Sequence, residues 1–471
     1  MGIVLLFHSI KYGRASAASV ADVHNHRATQ GAAYTLDDLT KYPATIGAAT
    51  VTRLPRIRHA GQLVDWRLCI GCGACAYICP EQKIGLVDYP REGLRPIVAD
   101  GNCNGCTECL QVCPVYINDR SDANQRNGII PELVPYCGPV LEIWEGHAAD
   151  SVIRFLGSSG GLITALCLYC LEIERMNGVL HTAGDPEVPW KNRTRLSRSR
   201  SELLAATGSR YSPASVCDGL GQVESAPAPC VVVGQPSEIT GLRKAQQMRP
   251  ELDKKVGLAI SFFCAGSPST QGTLDLLKKL DVKPDDVAEL RYRGRGWPGN
   301  FSVRLKGQEQ PAREMSYAES WGFLQAYRPL SVHLCPDGTG EDADITCGDP
   351  WYRKAEQGEP GSSLILIRTE RGRRIFADAV KRGFIVAKPV GVHEVIKSQQ
   401  NLFEKRGAIW GRIITMKMFG LPTPRLRGFS LFRNWLRLSF TDKLRSTVGT
   451  ARRIIVRRLY RPLVLKEGSS L

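Results

Sequence analysis

The sequence predicts two structural classes in one chain: a small α+β module built on cysteine-rich turns, followed by a larger α/β body. Two cysteine runs of identical spacing between residues 69 and 113 predict the module. Apolar segments that end in Gly, Ser or Pro turns and lead into helical patterns, as in 228–243 and 255–270, predict the body. Strands that alternate with helices are typical of a sheet that binds ligands at its strand ends.

Both cysteine runs read CxxCxxCxxxCP. Three thiolates two residues apart on a tight turn can face one cube of iron and sulfide, whereas the fourth, before proline, ligates the other cluster. The pattern therefore predicts one 4Fe-4S cluster on Cys69, Cys72, Cys75 and Cys113. It predicts a second on Cys103, Cys106, Cys109 and Cys79. A structural zinc site is the alternative, but zinc takes four ligands in two CxxC knuckles and not two runs of four.

Composition and charge narrow the setting of the protein. Half of the sixteen cysteines lie in the two runs, which an oxidising compartment would destroy or cross-link, so we expect a cytoplasmic protein. No apolar run is long enough for a transmembrane helix, and the N-terminal GIVLLF lacks the features of a signal peptide. Of the formal net charge of +16, residues 421–471 carry +10, from twelve Lys or Arg and two acidic residues.

A Gly/Ser loop opens the first long helical pattern of the body. Its residues are Gly157, Ser158, Ser159, Gly160 and Gly161. Unpaired backbone N–H groups, two hydroxyls and the positive end of a helix dipole would meet there, which suits a flavin or nucleotide phosphate. A plain helix start explains the loop equally well. Cys167 and Cys170, inside the following helix, read as small core residues.

The segment RYRGRGWPG formally matches GxGxxG, but Pro298 interrupts it and a strand pattern follows, so we reject a dinucleotide fingerprint. We interpret it as a rigid loop whose Arg293, Arg295 and Trp297 suit a planar anionic ring or its phosphate tail. A surface turn with solvated arginines is the alternative. For proton supply the candidates are Tyr211, Asp344 and Asp349.

The cysteine stretch resembles a bacterial-type dicluster ferredoxin module, over roughly residues 60–120. The landmarks from about 65 to 400, taken in order, resemble the beta-subunit family of coenzyme F-420 hydrogenases and dehydrogenases (FrhB/FdhB-like). Relatives include 7-hydroxymethyl chlorophyll a reductase and a class of divinyl chlorophyllide 8-vinyl reductases. The motifs that carry this resemblance are the cluster module, GSSGG, TGSRYSPAS, VGQPSEITGLR, FFCAGSPST, RYRGRGWPG and CPDGTGEDADITCGDPW.

The resemblance implies an α+β ferredoxin-like 2×(4Fe-4S) module followed by a larger α/β flavin-binding body that holds FAD. It implies that the clusters exchange electrons singly with the flavin, which passes a hydride or electron pair to a substrate. The 157–161 loop would lie near the flavin phosphates, with 291–299 and 335–349 lining the ring pocket. Members often carry a cysteine at the position of Ser237 and a CxxC at that of Val332 and Cys335, so we predict no extra cluster there.

We expect a domain order of a poorly ordered extension (1–58), a dicluster ferredoxin domain (59–120), an FrhB/FdhB N-terminal-like flavin domain (121–248), an FrhB/FdhB C-terminal-like domain (249–415) and a basic amphipathic tail (416–471).

The leading functional hypothesis is an oxidoreductase: an FAD-dependent reductase fed by reduced ferredoxin or a deazaflavin carrier and acting on a small organic substrate. The alternatives are a non-catalytic electron-transfer subunit of a larger redox complex, and a scaffolding protein whose clusters are structural. In the tail, arginines interleave with bulky apolar residues, which suits peripheral contact with an anionic membrane at its inner face. Nucleic acid, an acidic protein or a disordered tail would fit the same composition, and we predict no specific nucleic acid partner.

Overall fold

The computed structural model describes residues 57–99, 103, 105–123, 127–356 and 358–465. The predicted N-terminal extension, 1–58, therefore lies outside the described residues except for Ile57 and Arg58.

The helices in the described ranges are α1 Ala60–Asp65, α2 Ala74–Ile78, α3 Glu108–Gln111, α4 Val134–Cys137, α5 Ser151–Leu156, α6 Leu162–Glu172, α7 Arg200–Ala205, α8 Leu220–Glu224, α9 Pro236–Met248, α10 Pro250–Lys255, α11 Thr270–Lys279, α12 Tyr317–Leu324, α13 Leu330–Leu334, α14 Glu370–Lys381, α15 Val392–Ser398, α16 Gln400–Met418, α17 Leu431–Leu436 and α18 Phe440–Val456. The strands are β1 Ile84–Tyr89, β2 Gly93–Val98, β3 Ile117–Asp119, β4 Glu142–Ala148, β5 Val179–Gly184, β6 Asn192–Ser197, β7 Cys230–Gly234, β8 Val256–Phe262, β9 Val287–Arg291, β10 Asn300–Leu305, β11 Arg313–Ser316, β12 Ile345–Gly348, β13 Ser363–Ile367, β14 Ile385–Pro389 and β15 Arg425–Arg427.

The N-terminal module repeats one backbone turn around a hairpin. β1 and β2 pair antiparallel, and each cysteine run makes a tight turn and then a short helix, α2 or α3. Gly73 and Thr107 occupy equivalent left-handed positions immediately before these helices, with φ of 84° and 67°. Gly71 and Gly105 match in the same way, with φ of 80° and 78°. The repeated spacing in the sequence therefore corresponds to a repeated turn in space.

The body is built on an eight-stranded mixed sheet in the order β14-β4-β13-β12-β8-β7-β5-β6. Strands β5, β7, β8 and β12 are parallel, and the remaining neighbours pair antiparallel. β7 (CVVVG) and β13 (SLILI) are buried at every residue, as expected for strands covered on both faces. Because β7 and β8 are neighbours, the two predicted halves of the body, divided at 248/249, share one sheet.

Helices cover both faces of this sheet. On one face α6 and α14 pack in a core that includes Cys167 and Cys170. On the other face α8 and α9 form a second core, which Ala74 and Ile78 of the module's α2 join. The ferredoxin-like module therefore shares a hydrophobic core with the body and is not an independently packed domain.

A small antiparallel sheet, in the order β11-β10-β9, lies beside α11 and α12 with its own apolar cluster. Strand β9 ends at Arg291, so the sheet delivers the RYRGRGWPG loop to the body.

The C-terminal helices and strand also pack against the rest of the described chain. α16 runs through the predicted boundary at residue 415 and packs against α17 and α18. β15 pairs in parallel with β3 of the module, so that Arg425 lies opposite Ile117. Across the ranges that the structure describes, none of the helices has the length and apolar character required to cross a membrane.

Candidate functional site

Two cavities in the N-terminal module are lined by cysteines from both runs. Cys69, Cys72 and Cys75 of the first run line one cavity together with Cys113 of the second, and Cys109 also reaches it. We call this the inner cluster site. Cys79 of the first run lines the other cavity with Cys103, Cys106 and Cys109. This is the outer cluster site. The structure therefore brings together the two crossed sets of four that the sequence predicts.

The backbone explains why the fourth cysteine of the first run leaves the site of the other three. Cys79 is the C-cap of α2 and has extended dihedrals, so the chain leaves the helix at this residue. The following Pro80 lines the outer cavity, and Pro114, after Cys113, lines the inner one.

The thiols within each site are close enough to oppose one another's ionisation. Burial raises the pKa of Cys75 well above its usual value, and the nearby Cys69 and Cys72 raise it further. Burial likewise raises the pKa of Cys113 to about 12. Burial also raises the pKa of Cys109, and the nearby Cys106, Cys103 and Cys79 of the outer set raise it further. Four such thiolates coexist only with compensating positive charge, which a cluster of iron supplies.

A single metal ion fits this arrangement poorly. Among the described residues no three His, Cys, Asp or Glu side chains converge closely enough to bind one ion. Four thiolates on zinc would lie roughly 3.8 Å apart, from a Zn–S bond of about 2.3 Å. In a cubane, irons and sulfides separate the thiolates, so the four ligands of a cluster need not converge on a single ion.

The inner cluster site is fastened to the body through the segment that precedes α8. Ser215 donates its hydroxyl to the Gly71 carbonyl at 2.5 Å, and the Cys217 N–H donates to the Cys72 carbonyl at 3.2 Å. A Cβ on Gly73 would lie 2.8 Å from the Asp218 nitrogen, so the turn requires glycine for this contact. The Cys217 sulfur lies 3.1 Å from the Glu238 carbonyl, and a hydrogen bond from Cys217 lowers the pKa of Cys72.

Helix α9 makes the second attachment. Lys244 donates to the Cys113 carbonyl at 2.9 Å and to the Ile117 carbonyl. A Cβ on Gly241 would lie 3.4 Å from the Cys217 sulfur and 3.8 Å from that of Cys72. One helix of the body therefore contacts cysteines of the inner cluster from both runs.

A narrow crevice opens between the inner cluster site and the body. It is lined from the module by Gly71 and Arg95, and from the body by the turns after β7 and β8, through Gln235 and Ser267. The other residues that line it are Ile70, Glu92, Gly93, Leu94, Pro213, Ala214, Pro268, Pro329, Ser331 and Val332. Because β7 and β8 are parallel, the crevice lies at their carboxyl ends, where α/β folds bind ligands. We call it the α9 crevice, since α9 begins immediately after Gln235.

The α9 crevice holds polar atoms that lack protein partners. Arg95 is 3% exposed and Ser331 is 2% exposed. The Arg95 Nε and the Ser331 hydroxyl nevertheless have no hydrogen-bond partner in the protein. Buried polar groups normally have partners. These atoms therefore fit a bound polar ligand. Sequence reasoning did not single out Arg95, Gln235 or Ser331, although the strand-then-turn pattern before Gln235 and Ser267 was the available signal.

Arg293, Trp297 and Asp349, predicted to line the ring pocket or supply protons, lie together but satisfy one another. Arg293 donates to both oxygens of Asp349, at 2.7 and 2.9 Å, and to the Ser158 carbonyl at 2.8 Å. The Trp297 ring N–H donates to Asp349 at 2.7 Å. Arg293 is only 3% exposed, so this hydrogen-bonded group is buried. It connects the segments 157–161, 291–299 and 335–349.

The predicted phosphate loop is occupied by the protein's own chain. The Ser158 hydroxyl accepts the Ser209 N–H at 2.6 Å, and the Ser159 hydroxyl donates to the Ser362 carbonyl at 2.8 Å. A Cβ on Gly160 would lie 2.8 Å from the Ser362 Cα, and one on Gly157 or Gly161 would overlap the backbone. These glycines are required for close packing of the backbone. Phosphate binding by the loop stays a prediction.

The other predicted site residues differ in position. Tyr211 lies two residues before Pro213 of the crevice, and its hydroxyl accepts from Arg293 at 3.4 Å. Asp344 accepts from the Ala259 N–H at 2.8 Å and from the Thr369 hydroxyl at 2.7 Å, and pairs with Arg243, so its carboxylate is engaged within the sheet. Arg295 lies at the surface, 3.4 Å from Glu289.

Arg210, in the same loop as Tyr211, is a cation that the sequence prediction did not include. Its Nε is buried without a hydrogen-bond partner, and its guanidinium packs over Gly184 at the end of β5. Burial lowers the pKa of Arg210. A cation in this environment is suited to an anionic ligand.

Three family models match the chain. Residues 63–118 match a 4Fe-4S dicluster domain. Residues 143–220 match "Coenzyme F420 hydrogenase/dehydrogenase, beta subunit N-term", and residues 229–392 match the corresponding C terminus.

Curated relatives agree with these matches. The chain is 27% identical over 301 residues to a coenzyme F420 hydrogenase subunit beta of Methanothermobacter thermautotrophicus, covering 61% of this chain and 99% of the relative. It is 24% identical over 357 residues to a coenzyme F420-dependent sulfite reductase of Methanocaldococcus jannaschii, covering 72% of this chain and 49% of that protein.

The fold is similar to a chain of the F420-reducing [NiFe] hydrogenase complex from Methanosarcina barkeri, with a TM-score of 0.50 at 22% identity, over 62% of this chain and 97% of that one. Along the chain the segment that matches the dicluster domain comes first. The segments that match the two beta-subunit domains follow it and share one sheet. The chain thus belongs to the coenzyme F420 hydrogenase/dehydrogenase beta subunit family and carries a 4Fe-4S dicluster domain before the family's own domains.

Proposed function

We propose that this chain is an iron-sulfur flavoprotein oxidoreductase. In this proposal electrons pass between an external carrier, the outer cluster, the inner cluster and FAD in the α9 crevice, and the reducible partner is an organic ring such as a deazaflavin coenzyme. The observation that carries the proposal is the position of α9. The helix begins at the crevice with Gln235 and contacts the inner cluster site through Gly241 and Lys244.

Unpartnered polar atoms of Arg95, Ser331 and Arg210 support a flavin near the crevice. The unpartnered Arg95 Nε and Ser331 hydroxyl would hydrogen-bond polar edges of the ring, and Arg210 would hold phosphate charge. When bound, FAD would supply the exchange between single electrons of the clusters and the two-electron chemistry of the substrate. A Cβ on Gly71 would lie 2.5 Å from the Leu94 carbonyl, so glycine lets the cysteine turn of the inner site pack against the wall of the crevice.

Among the three predicted proton sources, Tyr211 is the best supported. Asp344 and Asp349 already accept hydrogen bonds from protein donors. The Tyr211 hydroxyl lies beside the Arg293 guanidinium, in the chain segment that leads to the crevice. We propose that Tyr211 holds or moves the substrate proton.

The outer cluster site supports an external redox partner. Cys103 and Cys106 are exposed, whereas the inner cysteines Cys69, Cys72, Cys75 and Cys113 are partly buried. A carrier such as reduced ferredoxin would therefore reach the outer cluster first. The same exposure favours the alternative function, a non-catalytic subunit that relays electrons inside a larger complex, since several relatives are named as subunits. Both functions require the reducing environment of the cytoplasm.

Anaerobic purification tests the proposal. We expect about eight irons with matching sulfide per chain, and FAD released on denaturation. Arg95→Met should lower the flavin content while the iron content stays unchanged, because Arg95 borders the crevice and ligates no iron. Arg193→Met, at an exposed position of β6, is the matched control and should retain both.

The outcomes separate the candidate functions. Full iron content without any flavin, together with electron transfer only between protein partners, would favour the electron-transfer subunit. Flavin that is retained in Arg95→Met would move the flavin site away from the α9 crevice.

A further inference from the structure

Large exposed apolar side chains are concentrated at the C-terminal end of the described chain. Elsewhere in the described ranges such residues are scattered, as with Val152 and Val386. After residue 417 they are Met418, Phe419, Phe432, Leu436, Phe440, Leu444, Val448, Ile455, Val456, Tyr460 and Val464. Monomeric proteins rarely leave contiguous apolar surface uncovered, so this concentration indicates an interaction surface.

The orientation of α18 explains why its apolar side chains face outward. The residues of α18 that the fold buries are Ser446, Thr450 and Ile454. A Cβ on Gly411 of α16 would contact the Ser446 side chain, and Ile454 lies in one apolar cluster with Met416 of α16. On another face, Phe440, Leu444, Val448 and Ile455 follow helical spacing and are 75%, 44%, 53% and 57% exposed. The bulky face is therefore the one that the fold leaves uncovered.

Positive charge surrounds this apolar face. Residues 431–465 contain nine Lys or Arg and one acidic residue, Asp442. Arg445 and Arg452 fall beside the apolar stripe on α18. Arg433 lies in α17 and Arg437 is the C-cap of that helix, so they follow Phe432 and Leu436 in the chain. Asp442 pairs with Arg445 at 3.4 Å and accepts the Ser439 hydroxyl, so it offsets one of the nine positive charges.

We propose that this apolar-basic face, formed by the outward residues of α17 and α18, binds the surface of a bilayer that contains anionic phospholipids. Outward-facing bulky residues would enter the boundary between headgroups and acyl chains, while the arginines contact lipid phosphates and keep their apolar stems along the helix. The inference goes beyond the proposed redox function, which requires no membrane.

Charge complementarity favours a lipid surface over a second copy of the chain. A second copy would bring the same excess of arginine to the contact, and like charges oppose each other there. An anionic bilayer supplies negative charge continuously and needs no matching shape. The face therefore suits peripheral attachment, in which α17 and α18 lie along the surface.

Sedimentation of the full, cluster-loaded chain with vesicles tests this proposal. We expect binding to vesicles of phosphatidylglycerol and phosphatidylcholine that weakens with added salt, and little binding to phosphatidylcholine alone. The double variant Phe440→Ser with Val448→Ser should lower the partition coefficient by about tenfold or more, because it removes the inserted apolar groups. Arg445→Gln with Arg452→Gln should lower binding to the anionic vesicles and flatten its salt dependence.

Matched controls keep the outcome interpretable. Val152→Ser with Val386→Ser removes similarly exposed side chains elsewhere and should bind as the original chain does. Iron content and the melting temperature show whether each variant is folded. Equal binding by the original chain and by the α18 variants would overturn the proposal. So would an absence of vesicle binding, or a change from dimer to monomer in the variants without any effect of lipid.

Discussion

Cys79 and Cys113 are the two residues on which the crossed cluster assignment depends. Each lines the cavity that also holds the first three cysteines of the opposite run. We therefore expect Cys113→Ala to remove the inner cluster and Cys79→Ala to remove the outer one, each lowering the iron content from about eight to about four per chain. Native alkylation followed by peptide mass spectrometry identifies which thiols have lost their protection.

The two variants are controls for each other. In Cys113→Ala we expect the three remaining inner cysteines, Cys69, Cys72 and Cys75, to become reactive while those of the outer site stay protected. The reverse holds for Cys79→Ala. Exposure of Cys103, Cys106 and Cys109 by the Cys113 substitution would show that each run holds its own cluster.

Residue types that carry strict spacing could be assigned from sequence, whereas paired side chains could not. The cysteine pattern predicted both sets of four, because ligand spacing is a local property of the chain. Arg293 and Trp297 were interpreted as ligand contacts, but both donate to Asp349, which lies more than fifty positions later. Only the fold reveals that such a charge is already neutralised.

At the scale of elements, the turn between α5 and α6 depends on glycine. Gly161 has φ of 66° and is the N-cap of α6, and a Cβ there would overlap the Ile153 carbonyl. We expect Gly161→Ala to destabilise the fold by about 3 kcal/mol or more, since it combines backbone strain with a steric overlap in the core. The melting temperature of the cluster-loaded chain measures the effect.

Gly221 is the matched control for that substitution. It lies within α8 and has no atom within 4 Å of a Cβ. Gly221→Ala should leave the melting temperature unchanged or raise it, because alanine is better than glycine inside a helix by about 1 kcal/mol. A loss of stability as large as that of Gly161→Ala would mean that the overlap at the α5–α6 turn is not the cause.

Some strands could be predicted from the sequence because an apolar run followed by a turn is a local pattern. The apolar run CVVVG and the run that contains VGLAISF are strands β7 and β8, each followed by a helix. The edge strands were less legible, since β14 pairs with β4 across more than two hundred residues. The Gly/Ser loop was recognised as a helix start, but its packing against Ser362 depends on a distant strand.

At the scale of the whole molecule, the predicted cluster module, body and tail pack against one another within the described residues. Residues of α2 lie in the core of the body, α9 contacts the inner cluster site, and β3 pairs with β15 near the C-terminal end. Sequence reasoning divided the chain at composition changes, which do not report contacts between segments distant in sequence. Under the proposed function, these contacts would hold the inner cluster site at a fixed position beside the α9 crevice.

Arg120 is the side chain that ties these parts together. It is 3% exposed, 2.6 Å from Asp342, 3.4 Å from Asp337 and 3.5 Å from Glu341. Glu341 is in turn paired with Arg406 of α16. We expect Arg120→Met to destabilise the fold by roughly 3–5 kcal/mol, because it leaves Asp337 and Asp342 without their cation. A lower melting temperature and faster proteolytic release of the 59–120 module would measure this loss.

Arg427, in β15 beside the same module, provides the comparison that isolates burial. Its side chain is 81% exposed and lies 3.9 Å from Asp119, so Arg427→Met should change the unfolding free energy by less than about 1 kcal/mol. Equal effects of the two substitutions would assign the stabilisation to the general positive charge of this region. A large effect of Arg120→Met alone, with the module released while its iron is still bound, would identify the buried network as the link that holds the cluster module on the body.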